Sequence, residues 1–126
     1  MHSLWILVAS VYGAIGVALG AFGAHGLKAR VTPERLAVWE TASDYHLLHA
    51  VVLLALAIWL RLAPQTPFLS GAAACVAAGV LVFSGSLYVL VLTDLRWLGA
   101  VTPLGGVLLI VGWVLIGVAA LKSTAA

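Results

Sequence analysis

The sequence predicts an all-α integral membrane protein in which four helices cross the bilayer as a compact antiparallel bundle. Three observations carry that prediction. First, 64% of the residues are hydrophobic and 8% charged, with a mean hydropathy of +1.20. A water-soluble domain of this size exposes about a third of the surface of its unfolded chain, too much for so apolar a composition. Second, four apolar stretches, each about one bilayer crossing long, alternate with short connections that carry the prolines and most of the charges. Third, tryptophans recur near the ends of those stretches, where an aromatic belt belongs. No polar linker divides the chain, so residues 1–126 read as a single domain.

The first apolar run, residues 4–22, holds no charge and is long enough to cross roughly 30 Å of hydrocarbon. Ala21, Gly23 and Ala24 imitate a signal-peptidase site. Yet no Lys or Arg precedes the run, and it is longer than the apolar core of a signal peptide. A retained first span over residues 4–25 is expected. The second helix should start at Thr32-Pro33-Glu34, with Thr as N-cap, Pro in the first turn and an early acid at the positive end of the dipole. Its opening turns, Glu34 to Ser43, read as an interfacial extension before a span over residues 45–62. Pro64-Gln65-Thr66-Pro67 breaks the chain; spans over residues 68–92 and 103–121 follow.

Lys28, Arg30, Arg35 and Arg96 fall on one side of these spans, Arg61 and Lys122 on the other. The bias toward cytoplasmic positive charge therefore puts both termini outside. Trp5 and Trp59 would mark one interface, Trp39 and Trp97 the other, with Trp113 deeper. Small residues form stripes at helical spacing: Gly13, Gly16, Gly20 and Gly23; Gly71, Ala74, Ala78 and Gly85; Gly105, Gly112 and Ala119. Such stripes let helices approach closely in lipid, which offers no hydrophobic drive for association. The Leu-rich second helix is expected to face lipid or a partner. Cys75, the single cysteine, lies among alanines and reads as a packed side chain.

Polar groups gather toward one end of the predicted bundle: His25, Tyr45, His46, His49, Ser84, Ser86, Tyr88 and Thr102. Polar side chains at membrane depth are costly unless satisfied, so His25, Tyr45, His49, Ser84, Ser86, Tyr88 and Thr102 are the candidate ligand-binding residues. At about 100° per residue, Tyr45, His46 and His49 share a face, with Glu40 and Asp44 nearly opposite. A metal would therefore need His25, His46 and His49, with Asp94 as the nearest carboxylate, a set without the specificity of a zinc signature, and no metal or cofactor is expected. The other half of the membrane lacks polar residues to complete a proton route. Ser84-Gly85-Ser86 echoes a nucleophile elbow, but it lies in a helix rather than at a strand–helix turn, and no catalytic residue is assigned. Scattered charges of net +2 form no stripe for nucleic acid. The expected partners are membrane lipids and a membrane protein or a second copy of the chain.

Four segments in order resemble a known family. They are Gly23-Ala24-His25-Gly26-Leu27, Trp39-x-Thr41-Ala42 with Tyr45 and His49-Ala50, Phe83-Ser84-Gly85-Ser86-Leu87-Tyr88, and Thr102-Pro103-Leu104-Gly105-Gly106. Together they resemble the YgdD/YwdK family of small bacterial membrane proteins, a domain of unknown function, along nearly the whole chain. The resemblance implies a four-span protein of the bacterial inner membrane with no established enzyme activity. It also implies that His46 stands where glutamine is common and Asp94 where glycine is common. Neither would then be indispensable to a shared mechanism. A non-enzymatic accessory, assembly or structural subunit is the expected function. The alternative is a protein that binds or transports a lipid, quinone or small solute beside His25, His49 and Tyr88.

Overall fold

A computed structural model describes residues 2–123. Four long helices are present: α1 (His2–Phe22), α2 (Pro33–Leu62), α3 (Leu69–Thr93) and α4 (Thr102–Lys122). All four are long and apolar enough to cross a membrane. A π-helical turn, Gly23–Leu27, extends α1, and a short 3-10 turn, Arg96–Ala100, leads into α4.

The helix ends follow local chemistry. Thr32 caps α2 by accepting the Arg35 N–H at 3.2 Å, with Pro33 in the first turn as expected. The third helix starts at Leu69 rather than Phe68, because Phe68 sits in the left-handed region (φ 68°) that breaks a right-handed helix. Asp94, also left-handed, ends α3 by donating its N–H to the Leu90 carbonyl at 2.7 Å. Short polar side chains tolerate that conformation better than most.

Packing follows chain order: α1 on α2, α2 on α3, α3 on α4. The inner pair is therefore α2 and α3. The expectation for the Leu-rich second helix holds for one face only: Leu48, Leu54 and Leu62 are exposed, while Leu53, Leu56 and Leu60 are buried in the core. All four helices keep an exposed apolar face, for instance at Val17, Val51, Leu81, Ile110 and Val114, and it is broadest on the outer α1 and α4. One core gathers Ala9, Leu53, Leu56, Leu69, Ala72, Val76 and Ala119, with all four helices contributing. A second, toward the Lys28 end, holds Leu27, Trp39, Ala42, Tyr88 and Val91.

The stripe on α4 packs as expected, as do Gly16, Gly20 and Gly23 on α1, whereas a Cβ on Gly13 would meet nothing within 4 Å. A Cβ on Gly16 would meet Leu47 at 2.8 Å, and one on Gly112 would meet Val76 at 2.8 Å. On α3 the packed face is Ala72, Ala73, Val76, Gly79 and Val80, while Ala74 is exposed and Gly85 borders open space. The spacing of small residues found a helical face there, but the larger Val76 and Val80 set the rotation. Trp39 is a correction. It is 1% exposed and donates its indole N–H to the Leu19 carbonyl at 2.9 Å, so it fastens α2 to α1 instead of belonging to the belt.

Candidate functional site

His46 lies at the centre of the polar half, 6% exposed. Its Nε2 is 2.8 Å from the Tyr12 carbonyl oxygen and its Nδ1 is 2.9 Å from the Tyr88 hydroxyl. A carbonyl can only accept, so Nε2 carries the proton and Nδ1 accepts from Tyr88 O–H. Tyr12 in turn donates its hydroxyl to the Ala77 carbonyl at 2.8 Å. This set joins α1, α2 and α3 through directional bonds, each with a defined donor.

His49, one turn along α2, repeats the arrangement toward α4. Its Nδ1 donates to the Tyr45 carbonyl at 2.8 Å, and its Nε2 accepts the Trp113 indole N–H at 3.1 Å. Ser84, 1% exposed, donates to the Ala42 carbonyl at 2.7 Å. Ser86 and Thr102 share a hydrogen bond of 2.6 Å between α3 and the start of α4, and the hydroxyl that accepts there donates to its own carbonyl neighbour, Phe83 for Ser86 or Leu98 for Thr102. Tyr45 is 44% exposed and lies against Phe83, ring centroids 4.7 Å apart.

Of the sequence-predicted residues, Ser84, Ser86, Tyr88, His49, Tyr45 and Thr102 all lie along the α2–α3 and α3–α4 seams. His25 is not brought to them: it is exposed on the π-helical turn and has no hydrogen-bond partner among the described residues. No group of three or more His, Cys, Asp and Glu side chains is placed to hold a metal among the described residues. Both nitrogens of His46 and of His49 are already engaged by protein atoms.

Sequence reasoning missed Tyr12, Trp113 and Arg35. Tyr12 and Trp113 stand as isolated aromatics inside apolar runs, with no local pattern to mark them. Arg35, counted only as a loop charge, reaches back to donate through Nη2 to the Val91 carbonyl near the end of α3. A cation there complements the negative end of the helix dipole and satisfies an orphan carbonyl. Its Nε is buried without a partner.

A cleft of about 370 Å³ opens beside this network. Val11, Ile15 and Leu19 of α1 form one wall, Val80, Leu81 and Gly85 of α3 the other, and His46 lies at the floor. Tyr12, Ser84 and Tyr88 border it as well, but their hydroxyls are turned to protein acceptors. The cleft therefore presents hydrocarbon, with no free polar group to orient a hydrophilic ligand.

Residues 19–106, a segment covering most of this site, match the family model described as "Protein of unknown function (DUF423)". This chain belongs to the DUF423 family. A UPF0382 membrane protein, YwdK of Bacillus subtilis (strain 168), is 40% identical over 119 residues, covering 94% of this chain and 97% of the relative. A UPF0382 membrane protein of Staphylococcus aureus (strain bovine RF122 / ET3-1) is 39% identical over 120 residues, 94% of this chain and 96% of the relative. No solved structure matches. The DUF423 match contains His46, His49, Ser84, Ser86, Tyr88 and Thr102; Tyr12 and Trp113, which bond to the two histidines, lie outside it.

Proposed function

We propose that this DUF423 protein is a non-enzymatic accessory or structural subunit of the bacterial inner membrane, and that its polar half serves to hold the bundle in register. One observation carries this reading: His46, His49, Ser84, Ser86, Tyr88 and Thr102 are engaged with one another, with Trp113 or with main-chain carbonyls. A catalytic serine needs a base within hydrogen-bond reach. Here Ser84 bonds a carbonyl and Ser86 a threonine, while the histidines bond elsewhere. The exposed apolar faces of α1 and α4 suit burial against a larger membrane complex or a second copy. The excess of Lys and Arg at the connections after α1 and α3 supports a topology with both termini outside.

Affinity purification of the tagged full-length protein from its native membrane in mild detergent tests the subunit role. A stoichiometric partner, or a homo-oligomer of fixed size, is the expected result. Repeated recovery of a bare monomer would overturn it. A second reading, lipid binding, is favoured by the α1–α3 cleft, which has a hydrocarbon lining and lies within the spans.

A further inference from the structure

We propose that the α1–α3 cleft holds an acyl chain of an anionic phospholipid whose phosphate rests on Lys28 and Arg30. This rests on the lipid-binding reading and adds to it the class of headgroup and the place of the chain. The lining decides the first half. A quinone ring or polar solute would need a hydrogen-bond donor or acceptor on the wall, and the hydroxyls of Tyr12, Ser84 and Tyr88 are already engaged with protein atoms. A hydrocarbon chain needs only contact.

Depth decides the second half. Tyr12, bonded to Ala77, and Leu19, packed on the Leu27–Trp39–Val91 cluster, both line the cleft, and the exposed Val11, Ile15 and Leu81 of its walls face the surrounding lipid. The span Ser3–Leu27 has its middle at residue 15, beside the cleft wall. At 1.5 Å per residue Lys28 then stands about 20 Å from the bilayer centre, where a membrane about 40–45 Å thick with its headgroups places phosphates. Lys28 and Arg30 are exposed, and the one ion pair among the described residues, Arg96 with Asp94, does not involve them. Glu40 and Asp44 lie on the back of α2, away from the face that presents His46 to the cleft. A lipid reaching the cleft from that leaflet therefore passes two unpaired cations.

The test is native mass spectrometry of the delipidated full-length protein titrated with dioleoyl phosphatidylglycerol and dioleoyl phosphatidylcholine, which share their chains. Phosphatidylglycerol should bind about fivefold more tightly or better, since one basic residue near an anionic lipid contributes about that factor. Lys28→Gln with Arg30→Gln, both on an exposed turn, should equalise the two lipids and leave residual binding. Gly85→Phe should remove both adducts, because a side chain there enters open space at the cleft rather than a helix contact. Ile15→Trp fills the same cleft from the opposite wall, should Gly85→Phe prevent folding. Equal binding of the two lipids by the wild type overturns the headgroup assignment. Unchanged adducts in a folded cleft-filling variant overturn the location while leaving lipid binding itself standing. A wild type that retains neither lipid removes the lipid-binding reading as well.

Discussion

Around Leu53 and Val76 the four helices meet through hydrocarbon, with the Tyr12–Ala77 hydrogen bond at its edge; two turns back along α2, around His46 and Tyr88, they meet through hydrogen bonds. In water both regions would be held by burial. In a bilayer the first gains nothing from leaving lipid, because acyl tails are as apolar as leucine, so its cohesion comes from close contact of complementary shapes. That is why alanines and a glycine line its α3–α4 seam: Ala72, Ala73, Gly112 and Ala119 let α3 and α4 touch nearly backbone to backbone. The second region gains from directional bonds, which fix how far one helix slides past another. The difference teaches that one half is held by shape and the other by directional bonds.

Substitutions can break or sharpen this contrast. The largest effect should come from Gly105→Val, where the new Cβ would fall on the Phe83 backbone, which cannot rotate away. Overpacking of that kind should cost about 3 kcal/mol or more, read as loss of folded protein in an SDS-unfolding titration. Next comes Leu53→Ala in the shape-held half. It removes a fully buried side chain, and a cost of about 2–4 kcal/mol is expected from the same titration.

His46→Leu should cost less, about 1–2 kcal/mol, in keeping with interhelical hydrogen bonds measured in membranes. Its signature is coupling rather than size. In a double-mutant cycle with Tyr88→Phe the two losses should not add, whereas Leu53→Ala and Tyr88→Phe should be additive. Additivity of the His46 and Tyr88 changes would remove the register role from that pair. Trp113→Phe, which deletes the indole N–H held by His49, should cost about 0.6 kcal/mol. The smallest effect belongs to Gly13→Ala. Nothing lies within 4 Å of the added Cβ, and the thermal midpoint should hold or rise slightly through helix propensity, worth up to about 1 kcal/mol.

Several features of the fold are legible in the order of the residues alone. Thr32-Pro33 announces the start of α2, the sevenfold spacing of Gly105, Gly112 and Ala119 announces the packed face of α4, and the apolar lengths announce four spans. These are local properties: capping is decided within one turn, and a helical face follows from 3.6 residues per turn. The same logic placed Ser86 and Thr102 at one end of the bundle, where they bond each other.

Local rules fail where two helices must choose a rotation about each other. Trp39 looks like a belt residue from its place near a span end, and only the closeness of α1, with Gly23 lacking a Cβ beneath the indole, makes it a buried fastener. His25 and His46 are both histidines at the same end. One lies exposed on the turn after α1, while the other meets Tyr12 and Tyr88 from two different helices. By itself, then, the sequence determined a four-span membrane protein of a family without an assigned function, with its polarity concentrated in one half. Tertiary structure alone decided which polar groups meet, that α2 lies inside, and that a hydrocarbon-lined cleft opens between α1 and α3. The physical reason is that a period marks a face, but the partner of that face depends on side-chain volumes contributed by distant parts of the chain.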